Sequence, residues 1–306
     1  MKILVTGGAG FIGSNLVDAL IENNYEVAVM DDLSMGKLKN VNKKAKFIQA
    51  SILDFDKLLE ASKVDIIFHV AALARVPFSI QYPKESNDAN VNGTLNVLLA
   101  AKQNNVRRIV YSASSSAYGT QLKLPLVETM NPNPQSPYAL QKLIGEYYCK
   151  IFNDLFGIET ISLRYFNVYG PRQNPEGAYA NLISKAITLS LNKQSPVIYG
   201  NGTKTRDFTF VDDVVKANFL AAKIKNPNGE IVNIGSGKNY SVNEIVNLIS
   251  SLTDKTLKPE YKEDRKGEPQ NTLASIEKAN SILNWKPKIK LEEGLKKTIE
   301  YFKTLK

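Results

Sequence analysis

Tyr138 and Lys142 stand four residues apart in Tyr138-Ala-Leu-Gln-Lys142. Residues at that spacing share one face of a helix. A lysine ammonium beside a phenol lowers its pKa and makes it usable as a base near neutrality. The pair alone is common in packed helices. Ser114, 24 residues upstream at the end of the apolar strand Arg108-Ile-Val-Tyr-Ser-Ala113, makes it informative. Ser136-Pro137 reads as a helix cap followed by proline at the first helical position. That places Tyr138 in the first turn, at the C-terminal edge of the sheet, where open α/β sheets bind ligands. The only cysteine, Cys149, lies within the same helical pattern beside Tyr147, Tyr148 and Ile151 and reads as a small buried hydrophobe.

The chain opens with Met-Lys-Ile-Leu-Val-Thr-Gly-Gly-Ala-Gly-Phe-Ile-Gly. A short strand, Ile3 to Val5, runs into a glycine-rich turn and then into a helix with apolar Phe11, Ile12, Leu16, Val17 and Leu20. Gly8, Gly10 and Gly13 satisfy G-x-G-x-x-G, with Gly7 as an extra glycine. Residues without side chains let the backbone bend and approach a pyrophosphate, and the helix N-terminus offers N–H groups to the anion. A second strand, Tyr25 to Met30, ends in Asp31-Asp32. Asp31 lies 18 residues beyond Gly13, close to the roughly 20 expected of a ribose-binding carboxylate. A carboxylate there accepts from both ribose hydroxyls and repels a 2′-phosphate, which favours NAD over NADP. Lys37 and Lys39 nearby weaken that preference slightly.

These groups need a sheet to carry them. Strand patterns at Phe47–Ala50, Asp65–Val70, Arg108–Ala113 and Glu159–Arg164 alternate with helical patterns at Asn90–Asn104 and Pro137–Phe156. Short, nearly continuous apolar strands between helices predict an α/β protein, a Rossmann-type doubly wound parallel sheet. The pattern loosens after Tyr169, where Gly170-Pro171 opens a loop and a helix, Ala180 to Leu191, precedes the strand Val197–Tyr199. Later helices are expected at Val242–Leu252 and Leu291–Phe302. A smaller mixed α/β lobe is expected over 169–208 and 236–306. The first domain then spans 1–168, with 209–235 returning to it through Ile231–Ile234.

The 306 residues carry a formal charge of +9 from 39 basic and 30 acidic side chains. The lysines are scattered, so a solvated basic surface is expected rather than a nucleic-acid footprint. No apolar run approaches the ~18–20 residues of a membrane span. One cysteine, one histidine and no Cys/His cluster exclude a metal centre of the usual spacing. With Met1 leading straight into a strand, a cytoplasmic protein without a leader is expected. His69 ends an apolar strand and reads as a packed structural histidine.

Several motifs together resemble the extended short-chain dehydrogenase/reductase family. They are Thr6-Gly-Gly-Ala-Gly-Phe-Ile-Gly13, Asp31, His69-Val-Ala-Ala72, Tyr111-Ser-Ala-Ser-Ser-Ser-Ala-Tyr-Gly119, Tyr138-Ala-Leu-Gln-Lys142 and Arg164-Tyr-Phe-Asn-Val-Tyr-Gly-Pro-Arg172. Within the family the chain is most similar to nucleotide-sugar 4-epimerases, from Met1 to about Trp285. The resemblance implies that Tyr138 takes the proton of the sugar 4-hydroxyl, that Ser114 bonds the same oxygen, and that Lys142 binds the nicotinamide ribose. NAD would be held by Gly7, Gly10, Phe11, Ile12, Gly13, Asp31 and Asp32 on the adenosine and pyrophosphate side. Ser51, Ile52, Ala71, Ala72, Asn90, Ser112, Tyr138, Lys142, Tyr165 and Val168 would complete its site. A UDP-sugar substrate would meet Ser114, Ser115, Ser116, Asn167, Tyr199, Arg206, Arg265, Glu268 and Thr272. Asn167, Arg206 and Arg265 would hold the diphosphate, Tyr199 the base and Glu268 the ribose. The family also implies a homodimer built from the Asn90 and Tyr138 helices.

Sibling enzymes of the family start from the same oxidation. A 4,6-dehydratase carries Asp-Glu where this chain has Ser115-Ser116, so the residues favour epimerisation over dehydration or decarboxylation. Thr272 falls where the family sets pocket width near the sugar C2, and a small residue there leaves room for an acetamido group. The expected substrates are therefore UDP-N-acetylglucosamine and UDP-N-acetylgalactosamine beside UDP-glucose and UDP-galactose. Two departures stand out. Ser51 stands where many relatives have an aspartate that bonds adenine, which would weaken that contact or pass it to backbone groups of Ile52. Arg75, unusual beside the sugar pocket, could reach a uronic acid carboxylate, leaving a UDP-glucuronate 4-epimerase as the alternative. A dinucleotide-binding regulator without activity is the remaining reading, opposed by the intact Ser114, Tyr138 and Lys142.

Overall fold

The computed structural model describes residues 1–175, 182–264 and 269–305. Six parallel strands, β1 (Lys2–Thr6), β2 (Glu26–Asp31), β3 (Lys46–Gln49), β4 (Ile66–His69), β5 (Arg108–Ser114) and β6 (Glu159–Tyr165), form the sheet with a seventh, Glu230–Ile234. Their order is Glu230–Ile234, β6, β5, β4, β1, β2, β3. The order reverses between β1 and β4, which makes the ligand crevice of a doubly wound fold. The central strands β1, β4, β5 and β6 are buried on both faces, which explains their continuous Ile/Val/Leu runs, while the edge strand β3 is only partly buried.

Helices flank both faces: α1 (Phe11–Glu22), α2 (Phe55–Ala61), α3 (Val76–Gln81), α4 (Pro83–Asn87), α5 (Gly93–Gln103) and α6 (Pro137–Phe156). One π-helical turn, Asp88–Asn92, joins α4 to α5, so the helical run around Asn90 starts earlier than the sequence pattern suggested. Beyond β6 come α7 (Leu182–Leu191), α8 (Val211–Lys223), α9 (Val242–Leu252), α10 (Glu277–Leu283) and α11 (Leu291–Lys303). The expected Ala180 start of α7 lies outside the described residues. One apolar cluster runs from Val5 and Leu16 through Leu163 and Val214 to Leu295 and Phe302, so α11 closes the same core that β1 opens.

α6 shows how the sequence places the reactive tyrosine. The Ser136 hydroxyl accepts from the Ala139 N–H at 3.2 Å, Pro137 occupies the first turn, and Gly157 ends the helix in the left-handed region at φ 69°. Halfway along, Glu146 takes both Nε and Nη2 of Arg164 on β6, at 2.8 and 2.7 Å. This bidentate pair is buried, and its guanidinium lies 4.5 Å from the Tyr118 ring centroid. Removing one partner would leave a buried charge, so the pair locks the rotation of α6 against the sheet. The outer face of α6 exposes Leu140, Tyr147, Ile151 and Leu155.

His69 is 1% exposed between two threonines. Thr94 Oγ1 donates to the Asn90 carbonyl at 2.7 Å, so at 3.0 Å it accepts from His69 Nε2, and Nδ1 accepts from Thr6 Oγ1 at 2.8 Å. Burial, aided by the Lys142 charge, lowers its pKa from 6.5 to about 3. Between those values the unfolded chain takes up a proton that the folded one refuses. Stability from this site is complete above 6.5 and is lost as pH falls, by roughly 2 kcal/mol at about pH 5. Urea midpoints at both pH values should show that loss in the native chain and a smaller one in His69→Gln. An equal loss in both would disprove it.

Candidate active site

The glycine turn works differently from its first reading. Gly7, at φ 72°, makes the bend, and a Cβ there would sit 2.7 Å from Ala71 backbone atoms. A Cβ at Gly13 would lie 2.2 Å from the Gly7 carbonyl oxygen. Gly8 instead packs on Val29, so the working spacing is Gly7, Gly10, Gly13 rather than Gly8, Gly10, Gly13. α1 starts on Gly10 with no capping side chain, which leaves the first N–H groups, those of Phe11, Ile12 and Gly13, available to an anion. Asp31, 8% exposed, faces this turn and accepts from the Ala9 N–H at 2.9 Å and the Leu33 N–H at 2.8 Å. Burial raises its pKa while both N–H bonds oppose the rise. Asp32 is exposed and turned to Ser34. Gly36, which the motif reading missed, packs against Ala9 and Asp31 so closely that a Cβ would touch both at 2.8 Å. An uncapped helix start beside a turned-in carboxylate fits a dinucleotide.

The other residues expected at the cofactor have the following surroundings. Ala71 and Ala72 follow β4, with the Ala71 N–H 3.4 Å from Thr6 Oγ1. Ser112 Oγ and the Tyr165 hydroxyl pair at 3.1 Å, and Tyr165 also bonds Asn218 on α8. Val168 sits in a two-residue strand beside Thr209–Phe210. The Ile52 carbonyl accepts from Asn96 Nδ2 at 3.1 Å, and Ser51 Oγ accepts from the Leu53 N–H at 3.2 Å. The expected substitute contact from Ile52 is thus partly consumed inside the protein, because α5 passes over it.

Tyr138 is half-buried beside Ser114. Burial raises its pKa, and the Ser114 bond lowers it in opposition. Lys142, 3% exposed, donates to the Ser112 carbonyl at 2.8 Å and lies 4.8 Å from the Tyr111 ring centroid. Its pKa is pulled down to about 8, chiefly by burial, with Glu146 one turn on opposing the shift. The lysine is directed at the Ser112 carbonyl, and Ser114 is the partner that lowers the Tyr138 pKa. Ser114 Oγ in turn accepts from Ser116 N and Oγ, at 3.2 and 2.8 Å. With those acceptor positions filled, its own proton is left for the phenol or a substrate oxygen. Ser115 completes the half-buried turn. Cys149, fully buried with its pKa pushed up to about 12, is no nucleophile.

Two supports of this centre carried no sequence signal. Ser79 Oγ on α3 accepts from the Tyr138 N–H at 3.1 Å. Gln141 Oε1 accepts from Ser86 Oγ at 2.8 Å and Asn90 Nδ2 at 2.9 Å, while Asn90 Oδ1 holds the Leu73 N–H at 2.8 Å. Asn90, expected at the cofactor, is therefore 1% exposed and ties the Leu73 loop to α6. Arg75, half-buried, occupies the N-cap position of α3 without a capping bond from its side chain.

On the substrate side, Asn167 Nδ2 donates to the Asp207 carbonyl at 3.0 Å. Arg206 Nη1 donates to the carbonyls of Thr205 at 2.9 Å and Gln270 at 3.2 Å. Thr272 is buried, with Oγ1 3.4 Å from the Asp207 N–H. Tyr199 is 40% exposed at the end of Val197–Tyr199. Arg265 and Glu268 lie outside the described residues. Among the described residues no three His, Cys, Asp or Glu side chains could hold a metal, and no helix is long and apolar enough to cross a membrane.

A doubly wound sheet with a glycine turn on its first strand and Ser114, Tyr138 and Lys142 along its ligand edge defines an extended short-chain dehydrogenase/reductase architecture. The chain belongs to the NAD dependent epimerase/dehydratase family, which it matches over residues 3–235. It is 45% identical over 304 residues to a putative UDP-glucose 4-epimerase of Methanocaldococcus jannaschii, covering 98% of each chain. Its fold is similar to the UDP-glucose 4-epimerase of Thermotoga maritima with UDP-glucose, at TM-score 0.97 and 41% identity over 100% of both chains. It is likewise similar to the UDP-N-acetylglucosamine 4-epimerase of Methanobrevibacter ruminantium in complex with UDP-N-acetylmuramic acid. That match has TM-score 0.94 and 38% identity over 100% of this chain and 99% of the other.

Proposed function

We propose that this chain is a UDP-hexose 4-epimerase using NAD. The observation that carries the reading is the placement of Ser114 beside Tyr138 at the sheet's ligand edge, with Lys142 buried one turn further on and bonded to the Ser112 carbonyl. Gly7, Gly10, Gly13 and Asp31 would hold the dinucleotide, whose nicotinamide supplies reversible hydride acceptance at the sugar C4. Tyr138 takes the 4-hydroxyl proton and returns it. Ser114 steadies the same oxygen with the proton that Ser116 leaves it. Lys142 keeps a positive charge beneath the site at neutral pH. Ser115 and Ser116 offer hydroxyls, which cannot perform the proton transfers at C5 and C6 that dehydration requires. Incubation with UDP-sugars without added cofactor should yield isomers of equal mass; loss of water or carbon dioxide would indicate a lyase.

The substrate range follows from Thr272. Its small side chain supports turnover of the N-acetylated pair, UDP-N-acetylglucosamine and UDP-N-acetylgalactosamine, beside UDP-glucose and UDP-galactose. Thr272→Tyr should depress kcat/KM for the acetylated pair at least tenfold and spare the plain pair. Strong native preference for the plain pair, unchanged by the substitution, would refute this. UDP-glucuronate belongs in the same assay as the test of Arg75.

Two copies would meet through the exposed face of α6. Leu140, Tyr147, Ile151 and Leu155 form an apolar stripe too long for a surface left in water. Light scattering should return twice the mass of one chain, and one chain's mass would exclude the dimer.

A further inference from the structure

Asp207 is a carboxylate with 0% exposure at the end of the strand Thr205–Asp207. Its Oδ1 accepts from the Ser236 N–H at 2.6 Å and Ser236 Oγ at 2.7 Å; Oδ2 accepts from the Gly237 N–H at 3.0 Å and the Ala274 N–H at 3.1 Å. Three of the four partners are backbone N–H groups, which can only donate, and they reach both oxygens; the fourth is the Ser236 hydroxyl, which also reaches the Lys238 carbonyl at 2.9 Å. A buried carboxylate persists when hydrogen bonds to its charged form replace water.

The donors come from two separate segments: the turn after the strand Glu230–Ile234, and the loop two residues past Thr272. Asp207's own backbone reaches further. Its carbonyl holds Asn167 Nδ2 at 3.0 Å, and its N–H points at Thr272 Oγ1 at 3.4 Å. Arg206 precedes it, and the loop is further tied to its strand by the Thr272 N–H on the Thr205 carbonyl at 3.1 Å. Asn167, Arg206 and Thr272 are thus referenced to one residue, although they arrive from three distant parts of the chain.

Building on the proposed function, we infer that Asp207 is the positioning residue of the nucleotide-sugar side, its carboxylate setting the diphosphate anchors Asn167 and Arg206 against the sugar-pocket residue Thr272. It makes no contact with substrate in this role. Its oxygens are spent on the protein itself, and its effect passes through the three anchors, where a displacement near 1 Å can cost about 10²-fold.

UDP is the probe, measured by calorimetry alongside steady-state kinetics, with cofactor content and melting temperature as controls. Asp207→Asn keeps the shape but turns an amide NH2 against N–H donors. It should weaken UDP at least tenfold and raise KM for the UDP-sugar by a similar factor, with a smaller change in kcat and unchanged dinucleotide content. Asp213→Asn is the matched control. Asp213 is another buried carboxylate, accepting the Lys288 and Ile289 N–H groups at 2.9 and 3.0 Å near the C-terminal helices. It should lose melting temperature without losing UDP affinity. Native UDP affinity in Asp207→Asn, or equal weakening in Asp213→Asn, overturns the inference. Should Asp207→Asn not fold, Ser236→Ala removes one donor, and Gly235→Ala drives a Cβ to 2.9 Å from Oδ2 and 2.4 Å from the Ala274 Cβ. Native UDP affinity in both also overturns it. A native chain that fails to bind UDP fails before any variant is compared, and sinks the proposed function itself.

Discussion

Tyr138→Phe is expected to lower UDP-sugar interconversion by about 10²–10⁴-fold, the span that one positioned acid–base group supplies. The substitution removes a single oxygen. The ring stays in place because α6 is capped by Ser136, pinned by Ser79 at the Tyr138 N–H, and locked by Glu146 to Arg164. Cofactor content and UDP affinity should therefore hold while kcat falls. Ser114→Ala should fall less, since it removes the partner that lowers the phenol pKa but leaves the phenol. Rate assays on proteins matched for bound dinucleotide decide this. A Tyr138→Phe protein as fast as the native one would end the case for a phenolate base.

Gly13→Ala carries the second large effect, on cofactor rather than rate. The new methyl would stand 2.2 Å from the Gly7 oxygen, 2.9 Å from the Gly7 carbonyl carbon and 2.9 Å from the Gly8 Cα. All three neighbours are backbone, so no side chain can swing away. Gly7 cannot yield either, because its φ of 72° and its approach to Ala71 fix the other side of the turn. The turn must open, which moves the first N–H groups of α1 from the place where an anion would sit. Purified Gly13→Ala should carry less than a tenth of the native dinucleotide, read by absorbance after denaturation, with activity lost in proportion. Equal cofactor content in Gly13→Ala and the native chain would show that this turn does not hold it.

Both predictions rest on residues whose spacing is legible in the sequence. The Tyr138, Lys142 and Ser114 spacing was legible because helix periodicity and strand ends are local properties. What Lys142 does was not legible: its ammonium goes to the Ser112 carbonyl, 30 positions away in the chain. The choice between Gly7 and Gly8 likewise depends on Ala71 and Val29, which meet the turn only once β1 lies between β4 and β2. Ser79 and Gln141 left no mark on the local pattern, because any small or amide side chain reads the same before its partner is known. Glu146 was within reach, four residues after Lys142 on one helix face.

Local chemistry alone carried the sheet class, the glycine turn on the first strand and the placing of Asp31, Ser114, Tyr138 and Lys142 at strand ends and on one helix face. Those follow from period, capping and the conformations glycine allows, each decided within a few residues of chain. Tertiary packing alone decided which groups shift which pKa, where Asn90 and Ile52 spend their hydrogen bonds, and how Asp207 gathers anchors from three regions. Such outcomes depend on burial and on partners brought together from across the chain, and both exist only after the core has closed.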